Sequence, residues 1–226
     1  MSFKSAVITF PGSNCDRDAL TYLRDLTQGE VLNIWHEESS LPNVDLVILP
    51  GGFSFGDYLR SGAMAAKSNI IHDVIDHANN GRYLLGICNG FQILTEIGLL
   101  KGALIQNKSI KFLGKDCHIK KKFDNKFNCN IKDDEVLQIP VAHNEGNFYC
   151  DQETLGYLQD EGLIAFEYCR GEYQIEDGNF NGSLDNIAGI TNKNRNILGM
   201  MPHPERAYQD FHVSKDGKKI IESVLS

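Results

Sequence analysis

Short apolar runs that end in glycine-bearing turns, with helical patterns between them, constrain this chain more than any other feature. Ala6 to Phe10 runs into Pro11-Gly12-Ser13-Asn14, Leu46 to Leu49 into Pro50-Gly51-Gly52, and Tyr83 to Ile87 into a turn flanked by Gly86 and Gly90. Val31 to Trp35 reads as a further strand. Asp16 to Leu26 places Ala19, Leu20, Leu23 and Leu26 at helical spacing, and Ile70 to Ala78 does the same with Ile71, Val74, Ile75 and Ala78. A third helix is expected from Asn89 to Ile97, with Gly98 at its C-terminal cap. Strands alternating with helices imply βαβ units, hence an α/β fold with a mostly parallel central sheet and helices on both faces.

The middle of the chain is less regular. From Leu104 to Tyr149, strand-like stretches such as Val136 to Ala142 alternate with polar segments, which suggests an antiparallel extension beside the main sheet. A helix is expected at Glu153 to Asp160, strands at Ile164 to Tyr168, Ile187 to Thr191 and Ile197 to Met201, and a terminal helix at Gly217 to Leu225. Neither a repeat nor a linker interrupts the pattern, so residues 1–226 are read as a single domain.

Charge narrows the function. The formal net charge is -8, the wrong sign for a nucleic-acid surface. The one basic run, Lys120-Lys121-Lys122, reads as a solvated strand or loop edge. The six cysteines, Cys15, Cys88, Cys117, Cys129, Cys150 and Cys169, form no C-x-x-C pair and match no zinc spacing. The opening residues lack the apolar core of a signal peptide, and no apolar stretch approaches the ~20 residues that span a bilayer. A cytoplasmic protein with reduced thiols is the resulting expectation.

Gly86-Ile87-Cys88-Asn89-Gly90 lies between a strand and a helix, as the thiol counterpart of the G-x-S-x-G nucleophile elbow. Flanking glycines permit the sharp turn, and the helix N-terminus favours negative charge at the sulfur. Pro50-Gly51-Gly52-Phe53-Ser54-Phe55-Gly56-Asp57 also follows a strand, and its glycines suit an oxyanion hole or anion nest. In Pro202-His203-Pro204-Glu205-Arg206, Pro204 holds His203 extended, so His203 and Glu205 can act as a base and its orienting carboxylate. A metal reading of that pair is weaker, because no further ligand falls at a recognisable spacing. A buried structural cysteine, a plain glycine turn and an exposed histidine are the bland alternatives for these three segments.

Together the three segments resemble the class I (triad) glutamine amidotransferases, a flavodoxin-like fold family. Pro50 to Arg60, Gly86 to Gln92, His203 to Arg206 and the opening Phe10 to Asp16 are similar to one branch, the glutaminase subunits of phosphoribosylformylglycinamidine synthase. The resemblance implies Cys88 as nucleophile, His203 as general base and acid, and Glu205 as its partner. It further implies an oxyanion hole from the backbone of Gly52, Phe53 and Asn89, and glutamine contact by Gln92. Cys15 and Cys169 are then expected to be dispensable. The resemblance leaves His143 without a role and assigns nothing in the 104–135 region. It implies no metal or cofactor in this chain, with ATP and Mg²⁺ on a separate large synthetase subunit and a small bridging subunit completing the complex. Rival readings are a glutaminase of another pathway, a related cysteine hydrolase and a non-catalytic module that kept the fold.

Overall fold

The computed structural model describes residues 3–171 and 178–226. Its strands are β1 (Lys4–Thr9), β2 (Glu30–Trp35), β3 (Leu46–Leu49), β4 (Tyr83–Ile87), β5 (Ala103–Ile105), β6 (Leu113–Lys121), β7 (Leu137–His143), β8 (Asn147–Tyr149), β9 (Ile164–Cys169), β10 (Ile187–Thr191) and β11 (Ile197–Met200). The α-helices are α1 (Asp16–Thr27), α2 (Ile71–Asn79), α3 (Asn89–Glu96), α4 (Gln152–Asp160) and α5 (Lys218–Leu225). Nine strands form one sheet in the order β2-β1-β3-β4-β11-β10-β9-β6-β7, and β5 pairs with β8 separately.

The sheet has two halves. From β2 to β11 the neighbours run parallel; from β11 to β7 they run antiparallel. Burial follows this division. Every residue of β3 and β11 is buried, as strands covered on both faces require. The outermost strand, β7, instead alternates between buried and half-buried residues. Pro140 sits within it, a residue tolerated where one strand edge is unpaired.

Helix α1 turns Ala19, Leu20, Tyr22 and Leu23 inward and packs against β1, β2 and α5. Helix α3 lies over β3, β4 and β11. The Asp151 side chain caps α4 by accepting from the Thr154 N–H at 2.7 Å, the usual device for a helix start.

The expected strands and helices are present, with ends moved by a residue or so. β5, β6 and β8 have no individual sequence expectation, and the longest of them is β6. Only Cys117 and Ile119 are fully buried along it, too sparse an apolar alternation to announce a strand, yet it is held between β9 and β7. The lysine run closes this strand at its solvated end. There Lys121 pairs with Asp124 and Asp133, and Lys122 with Glu167.

Candidate active site

Cys88 joins β4 to α3 with φ 49° and ψ −104°, a left-handed φ that costs a non-glycine residue free energy. The elbow is held by its surroundings. The Cys88 N–H donates to the Met200 carbonyl at 2.8 Å, tying it to the neighbouring strand β11. A β-carbon on Gly86 would lie 2.7 Å from the Gly90 carbonyl, and one on Gly90 would overlap the Leu49 carbonyl oxygen. Both glycines of the motif are therefore steric requirements for seating α3 against β3 and β4.

The first helical hydrogen bonds of α3 run from Phe91 and Gln92 to the Cys88 carbonyl, at 3.0 and 3.2 Å. The N–H groups of Asn89 and Gly90 precede them, as at any helix N-terminus. Cys88 is 4% exposed, and its thiol points to the Ala142 carbonyl at 3.6 Å.

His203 and Glu205 follow β11, the parallel neighbour of β4. Before Pro204, His203 takes φ −102° and ψ 86°, and its N–H donates to the Pro140 carbonyl of β7 at 2.8 Å. The intervening turn brings its Nδ1 within 2.7 Å of Glu205 Oε1, with both side chains buried. Burial alone would lower the His203 pKa. The Glu205 carboxylate first, then Cys88 and Cys15, more than offset this and hold it well above the usual histidine value. Nε2 has no protein hydrogen-bond partner among the described residues. Cys88 thus lies beside the imidazole without an aligned hydrogen bond to it, an arrangement common before substrate binds.

The glycine loop departs from expectation at one position. The Phe53 N–H donates to the Gly12 carbonyl at 3.1 Å, because this loop is zipped to the turn after β1, where Phe55 N–H also meets the Pro11 carbonyl at 2.6 Å. Phe53 therefore does not offer a free oxyanion donor; Gly52 and Asn89 are the remaining members of the expected set.

Gln92 has a protein partner at each end of its amide. Its Oε1 accepts from Asn89 Nδ2 at 2.8 Å and its Nε2 donates to the Glu145 carbonyl at 2.6 Å. Asn89 Oδ1 in turn accepts from the Ser54 N–H at 3.1 Å. The amide of Gln92 thus braces α3 against the turn after β7. In that turn, His143 Nδ1 meets Asn107 Oδ1 at 3.0 Å, and Asn107 Nδ2 donates back to the His143 carbonyl at 2.9 Å. Burial, with the charge of His203, pushes the His143 pKa down to about 4. A neutral imidazole therefore lines this wall of the site. Asn107 falls in the segment that carried no sequence assignment.

The residue that sequence reasoning set aside is Cys15. Cys169 belongs to β9, but Cys15 Sγ lies within 4.8 Å of both a His203 ring nitrogen and a Glu205 carboxylate oxygen. These three donors could approach one soft cation. The 2.7 Å Nδ1–Oε1 contact, however, is a hydrogen bond that a shared tetrahedral metal would have to open to about 3.3 Å. The geometry favours proton handling.

An open α/β sheet with a thiol on a strained elbow, and a buried His–Glu pair past the adjoining strand, is the arrangement expected of an amidotransferase of the α/β class. The chain belongs to the family of CobB/CobQ-like glutamine amidotransferase domains, which it matches over residues 2–223. It is 46% identical over 225 residues to the phosphoribosylformylglycinamidine synthase subunit PurQ of Aquifex aeolicus, covering 99% of each chain. The PurQ subunit of Koribacter versatilis is 47% identical over 224 residues, 98% of this chain and 97% of that one. Among solved structures, a chain of PurLQS from Thermotoga maritima superposes with a TM-score of 0.86 at 39% identity, covering 100% of this chain and 98% of that one. Another glutamine amidotransferase from Thermotoga maritima shares the fold at 17% identity, with a TM-score of 0.59 and coverage of 92% of this chain and 78% of that one.

Proposed function

We propose that this chain is the glutaminase subunit of a phosphoribosylformylglycinamidine synthase in purine biosynthesis, with Cys88, His203 and Glu205 as its catalytic triad. The observation that carries the proposal is the buried His203–Glu205 pair at 2.7 Å beside the Cys88 elbow. The full-length likeness to PurQ subunits selects the branch.

In this reading His203 takes the Cys88 proton as sulfur attacks the side-chain amide carbon of L-glutamine. The backbone N–H groups of Gly52 and Asn89 stabilise the oxyanion. Collapse of the intermediate expels ammonia, protonated from His203, and leaves a γ-glutamyl thioester. Water, deprotonated by His203, then releases glutamate and restores the thiol. Gln92 contributes by bracing the pocket wall and keeps one Nε2 hydrogen for substrate.

Ammonia passes to a large synthetase subunit, which binds ATP and Mg²⁺ and converts formylglycinamide ribonucleotide to formylglycinamidine ribonucleotide; a small bridging subunit completes the assembly. This chain itself needs neither metal nor cofactor in the reaction. The likeness to a chain of PurLQS supports the assembly. The reading places the chain in the cytoplasm, with the purine pathway it serves. Among the described residues, no helix is long and apolar enough to cross a membrane.

The test is glutamate release from glutamine by the purified chain, with and without the two partner subunits, ATP and formylglycinamide ribonucleotide. Activity should rise with the partners and vanish in Cys88→Ala, while Cys169→Ala keeps it. Folded protein that releases no glutamate in any combination would refute the assignment.

A further inference from the structure

Cys15 has no part in the reaction as written, yet it is built into the wall around His203. It occupies the N-cap position of α1 and is 2% exposed. Its sulfur accepts a hydrogen bond from Arg206 Nη2 at 3.2 Å, and its thiol donates to Asn14 Oδ1 at 3.3 Å. Arg206 is fixed in turn by Nε donation to Asp18 Oδ2 at 2.8 Å. The first turn of α1 and the segment carrying His203 and Glu205 are thereby clamped together.

The clamp leaves the imidazole little freedom. A β-carbon on Gly51 would lie 2.6 Å from His203 Cε1 and 3.3 Å from Cys15 Sγ, so backbone, ring edge and sulfur meet at one point. Glu205 holds Nδ1 from another side. A thiol suits this position chemically. Burial pushes its pKa up, against the pull of His203 and Arg206, so it stays a neutral sulfur between the imidazole and the guanidinium. It is also too weak a hydrogen-bonding partner to draw Nδ1 from the carboxylate.

We propose that Cys15 is a positioning residue for His203: its buried sulfur, anchored by Arg206 and Asn14, closes the space around the imidazole so that Nδ1 stays on Glu205 and Nε2 stays available to Cys88. This rests on the glutaminase reading. The charged and titratable groups that face the ring are Glu205, Cys88, His143 and, through Cys15, Arg206 with its partner Asp18.

Two measurements on Cys15→Ala and Cys15→Ser test the proposal. In the assembled complex, Cys15→Ala should lower kcat for glutamine hydrolysis about tenfold with KM within about twofold, the signature of a misplaced catalytic group. Cys15→Ser, which keeps a hydrogen-bonding atom on a shorter bond, should fall between it and the wild type. In the isolated chain, followed by ¹⁵N NMR, the titration midpoint of His203 should move down in Cys15→Ala. Wild-type kcat with an unmoved midpoint would overturn the proposal. Should Cys15→Ala not fold, the same two readouts on folded Cys15→Ser decide, wild-type values overturning it and a lower kcat with a shifted midpoint upholding it. If the wild-type complex itself releases no glutamate, the glutaminase reading fails instead, whereas the His203 titration remains measurable.

Discussion

The carbonyl oxygen of Leu49, at the end of β3, fills the space that a β-carbon on Gly90 would need. The glycine after the thiol is therefore set by contact between α3 and the neighbouring strand. Gly90→Ala should force α3 outward, costing about 1–3 kcal/mol of stability as overpacking does and moving the Asn89 N–H away from the sulfur. Glutamate release should fall by at least ~10²-fold, the scale of a lost oxyanion donor. Gly156→Ala is the contrasting case: in α4 a β-carbon there meets nothing within 4 Å. That change should raise stability by about 0.5–1 kcal/mol and leave hydrolysis unchanged. Thermal melts and glutamate assays on the two variants check this; a harmless Gly90→Ala would contradict the contact argument.

Glu205→Gln removes the strongest of the interactions that raise the His203 pKa, leaving burial to dominate. Its midpoint should fall, and kcat should drop by up to about 10⁴-fold, the scale seen when the orienting carboxylate of a serine-protease triad becomes an amide. Steady-state kinetics with ¹⁵N NMR of His203 provide the check. A kcat within about threefold of wild type would remove Glu205 from the triad.

Burial, reinforced by the charge of Glu145 and opposed by Ser61, pushes the Asp57 carboxyl up to about 6. Its folded-state value lies above the unfolded one, near 3.8, so the folded protein binds this proton more tightly. The stability contributed by the protonated form is present below pH ~4 and is lost as pH rises through ~6. Asp57→Asn should therefore stabilise the chain at pH 8, by about 1 kcal/mol after allowing for solvent screening, and change little at pH 3.5. Urea melts at the two pH values measure the difference; an equal effect at both would show that Asp57 carries no such linkage.

The strand-to-helix rhythm of the N-terminal half was legible because buried parallel strands are written as unbroken apolar runs, as in Leu46 to Leu49. The turn at Cys88 and the His203–Glu205 contact were legible because an elbow and a proline-framed pair are local patterns. Strand β6 was not, since its stability comes from neighbours on both sides and not from its own apolar alternation. The commitment of Phe53 N–H to Gly12, and of Gln92 to Glu145, depends on loops that meet only in the folded chain. Cys15 illustrates the same limit. It is separated from Arg206 by 191 residues, and nothing near it in sequence signals that they touch.

Strand β11 is the seam of the sheet, parallel to β4 on one side and antiparallel to β10 on the other. Its pairing with β4 matches Gly199 to Gly86 and Met200 to Ile87, immediately before Cys88 and the His203 segment leave the sheet. Main-chain hydrogen bonds thus act as the gauge that sets how far His203 stands from Cys88. A slip of one residue would displace them by about 3.3 Å and invert the faces of the strand. The spacing of the two candidate groups is an alignment property of two strands, set by their ladder and not by the outer side chains.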